Sequence, residues 1–179
     1  GLWIEQESRR QWAREGKKYS FDDLSHMAMD SKPLQSIINP DDAVFSPAGN
    51  MPKRIVEYCR MTNQHVPETV GEIVRCIFES LALRYRWTAE KLEKMTRRKF
   101  KAINIVGGGT KEEILSQFAA DATGLNVIAG PIEATALGNI AMQAVSAGEI
   151  KDLWEARRVI RNSFDAKEYT PDSSTKGAW

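Results

Sequence analysis

The sequence has little of several features that would define a function class on their own. It contains 2 cysteines in 179 residues, too few for a disulfide-rich secreted scaffold, which favours a reducing, cytoplasmic environment. Its 25 basic and 24 acidic residues leave a net charge of +1, so charge gives no reason to expect a nucleic acid or a membrane as partner. No apolar run approaches the ~18 residues of a membrane span. The opening residues also lack the pattern of a signal peptide.

Side chains that bind metals or act as catalytic nucleophiles are also scarce. The chain has 2 histidines, His26 and His65, and neither stands at ligand spacing from a cysteine or carboxylate, so we expect no metal site. The sequence contains no evident set of nucleophile, base and acid. Cys59 and Cys76 would come within disulfide distance if their helices were antiparallel, although free thiols are the expected form in the cytoplasm.

Residues 1–101 carry helical patterns and no good strand. The longest predicted helix starts at a capping box, Thr69 with Glu72, and continues to about Thr96 with an apolar residue at every fourth position. The basic run 97–101 that follows it complements the negative end of the helix dipole. Further helices are predicted at 2–15, 20–29 and 50–61, with a turn-rich surface loop over 31–50.

The pattern changes after residue 102 to alternating strands and helices. A β-branched strand at 103–106 ends in three glycines, and a capping box from Thr110 to Glu113 opens a helix that Gly124 closes. A second strand follows at 126–129. Two strands joined by a helix predict a parallel pair with a right-handed crossover.

The C-terminal residues predict two more helices and a polar end. The first helix stops at Gly148 and is rich in small residues, which we interpret as close packing on the sheet. The second spans 153–160, and the chain is polar from Lys167. A parallel pair needs further strands and helices on both faces, and residues 1–101 supply no strands. Because the helical pattern also starts directly at Gly1, we expect the sheet to be incomplete and the chain to be a piece of a larger protein.

The joint between the first strand and its helix carries the sharpest motif, Gly107-Gly108-Gly109. Glycines here let the backbone approach a ligand closely, whereas the alternative, a tight turn, needs only one of them. The dinucleotide fingerprint and the P-loop are both absent, because Glu112 and Glu113 occupy positions that these motifs assign to Gly or Lys. Carboxylates in the first helical turn also oppose a triphosphate. We therefore expect the loop to bind the nucleoside end or the α-phosphate of a nucleotide.

Several segments resemble the C-terminal part of the FGGY carbohydrate kinase family and, within it, of the L-rhamnulose kinases. The glycine motif is shared with all actin-like ATPases, whereas its combination with the segments 39–42 and 130–134 is much more specific to the L-rhamnulose kinases. The resemblance extends from residue 1 to about residue 171. The matching segments are GLWIEQ at 1–6, INPDD at 38–42, PETVGEIVRCIFESLAL at 67–83, IVGGG at 105–109, ADATG at 120–124 and AGPIEATALGN at 129–139.

The resemblance implies a fold class and a function. The fold would be α/β, an incomplete ribonuclease-H-like domain of the actin-like ATPase type, rich in helices and with a small parallel strand pair at 103–106 and 126–129. The chain would be the ATP-binding part of a cytoplasmic sugar kinase that transfers the γ-phosphate of ATP to L-rhamnulose with Mg²⁺. The site residues implied for ATP are Gln6 and Gly108, with Gly107 and Gly109 as neighbours.

In this family the catalytic aspartate and most sugar contacts lie upstream, so the resemblance implies an N-terminal domain as partner and an inactive isolated chain. We predict a partial kinase domain over 1–171 and a polar tail over 172–179. Relatives commonly carry a neutral residue near the position of Glu112, so the resemblance does not imply nucleotide contacts by this turn. Two alternatives are an FGGY kinase for another ketose or polyol, and a non-enzymatic helical interaction module whose glycine turn is structural.

Overall fold

Seven α-helices and one three-stranded sheet form the framework of the computed structural model, which describes residues 1–179. The helices are α1 (Trp3–Arg14), α2 (Phe21–Asp30), α3 (Met51–Met61), α4 (Val70–Thr96), α5 (Glu113–Thr123), α6 (Ala134–Ser146) and α7 (Leu153–Ser163). The strands are β1 (Ala102–Ile105), β2 (Asn126–Ala129) and β3 (Lys167–Tyr169). None of the seven helices combines the length and apolar character needed to cross a membrane.

The centre of the molecule is α4, which packs most extensively against α5 and α2. It starts at the predicted capping box, where the Thr69 amide donates to the Glu72 carboxylate at 3.0 Å and the Glu72 amide donates to the Thr69 hydroxyl at 3.2 Å. The predicted apolar stripe is buried at Ile77 and Leu81. The sequence pattern therefore identified both the beginning of this helix and the face that enters the core.

Polar side chains of α4 fix the preceding segment, which was predicted as a surface loop. The Glu79 carboxylate accepts the amide of Leu34 at 2.8 Å, and the Ser80 hydroxyl accepts the amide of Ile38 at 2.9 Å. Ile38 and Phe45 are buried in the main core. The surface-loop prediction is therefore wrong for part of 31–50, because apolar residues between the turns anchor the segment inside.

The sheet has the order β1-β2-β3. The strands β1 and β2 are parallel, with Ile103 opposite Val127, as predicted, although β1 spans 102–105 instead of 103–106. The third strand is antiparallel to β2, with Val127 opposite Tyr169. It was missed because its sequence, Lys-Glu-Tyr, has no apolar run, and only Tyr169 is buried.

The connection from β1 to α5 also differs from its prediction. Residues Gly108–Lys111 form a 3₁₀ turn, and α5 starts at Glu113 without a side-chain cap. The Thr110 hydroxyl donates to the carbonyl of Gly107 at 2.8 Å. The predicted capping box at Thr110 is therefore wrong, because the glycines allow an extra tight turn before the helix begins.

The two final helices pack chiefly against each other. Ala141 is the only buried residue of α6 and Ala156 the only buried residue of α7. The interpretation of α6 as closely packed on the sheet is therefore wrong for this chain. One edge of the sheet is also unpaired, because β1 pairs with β2 alone.

The last ten residues fold back onto α5 and α4. The Asp121 carboxylate accepts the amide of Asp172 at 2.8 Å. The Trp179 ring packs on Phe118 with a centroid distance of 5.5 Å, and its carbonyl accepts from Arg86 at 3.0 Å. The division into a partial kinase domain over 1–171 and a tail over 172–179 stays a prediction.

The two cysteines are free thiols buried between α3 and α4. Interaction between the two thiols lowers the pKa of Cys59 and raises the pKa of Cys76, which burial raises further.

Candidate functional site

The glycine loop is fixed at its base by Gly107. This residue has φ +81°, a conformation that side-chain-bearing residues rarely adopt. Its amide donates to the carbonyl of Pro131 at 3.0 Å, and the amide of Gly130 donates to the carbonyl of Ile105 at 2.8 Å. The loops after both parallel strands are thereby joined at the carboxyl edge of the sheet. The role of Gly107 in the structure is to brace the loop.

A cavity of about 470 Å³ opens beside this loop, between the loop and the first turns of α1 and α2. It brings together three of the four site residues predicted from the sequence, Gln6, Gly108 and Gly109, whereas Gly107 is not part of its lining. The remaining lining residues are Leu2, Ser20, Phe21, Asp22, Lys111 and Glu112. The site is therefore assembled from three segments, and the residues from α1 lie more than a hundred positions before the glycine loop in sequence.

The second and third glycines face this cavity differently. A Cβ on Gly108 would have no atom within 4 Å, and its φ is outside the left-handed region. A Cβ on Gly109 would lie 3.6 Å from Cδ1 of Leu2, in ordinary van der Waals contact. Gly108 therefore exposes bare backbone to open space, which is the arrangement that lets a ligand approach the main chain, while Gly109 packs the loop onto α1.

Two buried carboxyl groups lie beside the cavity. Glu5 is 1% exposed and Glu112 is 7% exposed. Burial and, to a smaller extent, the neighbouring Glu112 raise the pKa of Glu5 while Arg9 lowers it, and the result is a pKa of about 7. Burial also raises the pKa of Glu112, and the carboxylate of Asp22 adds to this. Sequence reasoning missed Glu5, because a glutamate in the first turn of a helix is fully explained by the helix dipole.

The structure contains no comparable cluster of side chains for binding a metal ion. No group of three or more His, Cys, Asp or Glu side chains is close enough to hold a metal ion. A second cavity, of about 550 Å³, lies between α4 and β1 and is mainly apolar, lined by Leu81, Tyr85, Leu92, Phe100 and Ile103 among others. The cavity at Gln6 and Gly108 is distinguished by containing three of the four site residues predicted from the sequence.

Comparison with known proteins identifies the family. The model of the FGGY family of carbohydrate kinases, C-terminal domain, matches residues 1–147. The chain belongs to the FGGY family of carbohydrate kinases. The matched range contains α1, the glycine loop and α6, so every residue of the cavity lies within the family domain.

Curated relatives of this FGGY domain include rhamnulokinases from several bacteria. The rhamnulokinase of Bacteroides thetaiotaomicron is 42% identical over 179 residues, which is all of this chain and 36% of the relative. That of Bacillus subtilis is 43% identical over 171 residues, 96% of this chain and 35% of the relative. The chain thus spans about a third of the length of the relatives it matches.

Solved structures confirm the fold. The xylulose kinase from Rhodospirillum rubrum superposes with a TM-score of 0.67 at 16% identity, over 99% of this chain and 35% of that chain. A gluconate kinase from Lactobacillus acidophilus gives a TM-score of 0.65 at 18% identity over the same shares. The helix-rich domain with its small sheet is therefore the FGGY kinase fold in part, and the α/β fold class predicted from the sequence is confirmed.

Proposed function

We propose that this chain is the nucleotide-binding part of an ATP-dependent carbohydrate kinase that phosphorylates L-rhamnulose to L-rhamnulose 1-phosphate. The observation that carries the proposal is the cavity where Gln6 of α1 meets the backbone of Gly108. A side-chain amide and an unobstructed main chain are the groups that recognise a nucleotide without adding charge. The family match supplies the reaction class.

The nucleoside end of ATP fits this cavity better than the triphosphate. Asp22 and Glu112 line it, and only Lys111 offsets them. Such a lining repels a polyphosphate, so the phosphates point away from Glu112 and out of this domain. A bound ATP supplies the phosphoryl group, and the role of these residues is to hold and orient the nucleotide.

Magnesium is part of the proposed reaction, but the side chains of this chain do not form a site that could hold it. No cluster of three or more ligating side chains is present. We therefore assign the metal, the catalytic base and most sugar contacts to an N-terminal domain of the same cytoplasmic enzyme. The isolated chain, comprising a partial domain over 1–171 and a tail over 172–179, is expected to be inactive.

L-Rhamnulose is proposed as the sugar because rhamnulokinases are about 40% identical to nearly the whole chain. A coupled assay of ADP formation by the full-length protein, with L-rhamnulose, D-xylulose, L-ribulose, D-gluconate and glycerol, tests this assignment. We expect the highest kcat/KM with L-rhamnulose. A preference for another sugar would keep the kinase class and overturn the substrate, whereas no turnover with any of them would count against the kinase itself.

The nucleotide site is tested by placing a charged side chain at Gly108. Because this position faces open cavity, Gly108→Asp leaves the fold intact and fills the approach to the backbone with a negative charge, so the Kd for ATP should rise at least ~tenfold. Gly177→Asp is the matched control, since a Cβ there also meets no atom within 4 Å and the residue is exposed outside the cavity. Equal ATP affinity of the two variants, measured by calorimetry on the full-length protein, would remove Gly108 from the site.

A further inference from the structure

The Glu5 side chain is sealed inside the molecule next to the proposed nucleotide cavity. The residue is 1% exposed, and neither carboxyl oxygen has a hydrogen-bond partner. A buried carboxylate without any donor is among the most costly groups a fold can contain. The group therefore needs either a counter-charge or a proton of its own.

Arg9 is the counter-charge that acts on Glu5, but it donates no hydrogen bond to the Glu5 carboxyl group. The charged groups that face it and its partner are Arg9 from α1, Asp22 from α2, and Lys111 and Glu112 from the glycine loop. The Arg9 guanidinium donates to the carbonyl of Tyr19 at 2.8 Å and lies 4.2 Å from the centre of the Phe21 ring, and burial and Glu112 outweigh its effect on the pKa of Glu5. Lys111 lines the open cavity, whereas Glu5 is closed off from solvent.

Glu112 makes ionisation of Glu5 harder still. The two carboxyl groups interact electrostatically, and Glu112 is the one that borders the cavity. Neighbouring carboxylates in a poorly hydrated space cannot both ionise readily, so one of them retains a proton. The more buried partner, Glu5, is the group that keeps it. A metal ion in place of the proton is disfavoured, because no third ligating side chain completes a site.

We propose that Glu5 is a positioning residue whose proton keeps α1 packed against the glycine loop, so that nucleotide binds tightly only while Glu5 is neutral. Loss of the proton places an unpaired charge between the two elements that carry Gln6 and Gly108, and separates them. Glu5 does not line the cavity itself, so its effect reaches the nucleotide through Gln6, its neighbour in sequence, and through Glu112. The inference rests on the proposed nucleotide site and adds a dependence on pH.

The direction of the effect follows from the pKa of Glu5, which is about 7 in the folded chain against an ordinary value of 4.5. The folded protein therefore holds this proton more tightly than the unfolded chain. Stability is highest below pH 4.5 as far as this group is concerned, and it declines as pH rises towards 7. Nucleotide affinity should decline as the pH rises through 7, where the folded protein loses this proton.

The experiment measures the Kd of the full-length protein for ATP between pH 6 and 8.5, in wild type, Glu5→Gln and Glu149→Gln. Glutamine has the shape of a neutral glutamate, so Glu5→Gln should bind ATP with a nearly constant Kd, whereas the wild-type Kd should rise ~tenfold across the range. Glu149 is exposed in the turn after α6, so Glu149→Gln should follow the wild type. Titration of the nucleotide itself affects all three proteins equally and cancels.

A second measurement without nucleotide separates this inference from the proposed function. Infrared difference spectra of the wild type at pH 6 should contain the carbonyl band of a buried protonated carboxyl, which Glu5→Gln lacks. A missing band, or parallel pH profiles of wild type and Glu5→Gln, would overturn the inference. Absence of ATP binding at every pH, with the band present, would overturn the nucleotide function and its link to Glu5 but not the buried proton.

Discussion

The helix α4 and the α6–α7 pair are predicted equally well by their sequence periodicity, yet they stand in opposite environments. In α4, eleven residues are buried, among them Phe78 and Ile77. In α6 and α7 one alanine each is buried, and Ile140 and Trp154 are 62% and 73% exposed. The apolar faces of both regions are real, but only the first is covered within this chain.

The difference separates what forms a helix from what stabilises it. Capping and apolar spacing are local properties, and they suffice to place both helical regions. Burial depends on which other segments pack against a helix. The helices α2 and α5 pack against α4, whereas α6 and α7 pack mainly against each other. Substitutions of one kind should therefore have large effects in the α4 region and small or opposite effects in the α6–α7 pair.

The largest difference in the free energy of unfolding is expected between alanine substitutions at two glycines, one in α4 and one in α6. A Cβ on Gly71 would lie 2.2 Å from the carbonyl oxygen of Met27, because α2 and α4 touch at this point. Gly71→Ala must push the two backbones apart and should cost about 3 kcal/mol. A Cβ on Gly138 of α6 would meet no atom, so Gly138→Ala should stabilise the 179-residue chain by about 0.5 kcal/mol through helix propensity.

Urea unfolding of the chain measures both free energies. Similar losses in the two variants would contradict the contrast, because they would mean that α6 is as closely packed as α4. A higher free energy of unfolding for Gly71→Ala would directly contradict the close approach of α2 to α4.

The close approach at Gly71 also illustrates what the sequence could not predict. The capping box at Thr69 and the strands β1 and β2 were found from local patterns. The contact of α2 with α4 was not, since nothing in a single glycine indicates which backbone will lie against it. Strand β3 was missed for a related reason: its pairing with β2 fixes it, not its own composition.

The residues of the candidate site also differ in whether the sequence could predict them. Gln6 and Gly108 were predicted from the family resemblance, and the fold brings both to one cavity. Glu5 carries no motif, and its importance comes from being sealed beside Glu112. Burial of an ordinary residue type is a tertiary property, so only the structure could reveal it.

A difference in stability of intermediate size is expected between the loss of a buried ion pair in α4 and the loss of an exposed ion pair in α7. Arg75 donates to Glu79 at 2.7 Å in the interior and also to the carbonyl of Ser31 at 2.8 Å, which ends α2. Glu79→Ala leaves a buried guanidinium without its counter-ion and should cost about 3 kcal/mol. On α7 the pair Arg158–Glu155, with an N–O distance of 3.1 Å, is largely exposed, so Glu155→Ala should cost less than about 1 kcal/mol.

Salt distinguishes the two pairs further. Raising the ionic strength in urea titrations should leave the loss at Glu79 nearly unchanged, because salt screens buried charges weakly. The small loss at Glu155 should shrink. Equal sensitivity to salt at the two positions would indicate that Arg75 and Glu79 are hydrated, contrary to their burial.

The smallest effect is expected at the most exposed tryptophan. Trp154 lies in the first turn of α7, and the Arg157 guanidinium carbon lies 5.0 Å from the centre of its ring. Because the ring gains little burial in this chain, Trp154→Gln should change the free energy of unfolding by no more than about 0.5 kcal/mol. A loss above 1 kcal/mol in the urea titration would place α7 within the cooperative core, and the contrast between α4 and the α6–α7 pair would then describe exposure alone and not stability.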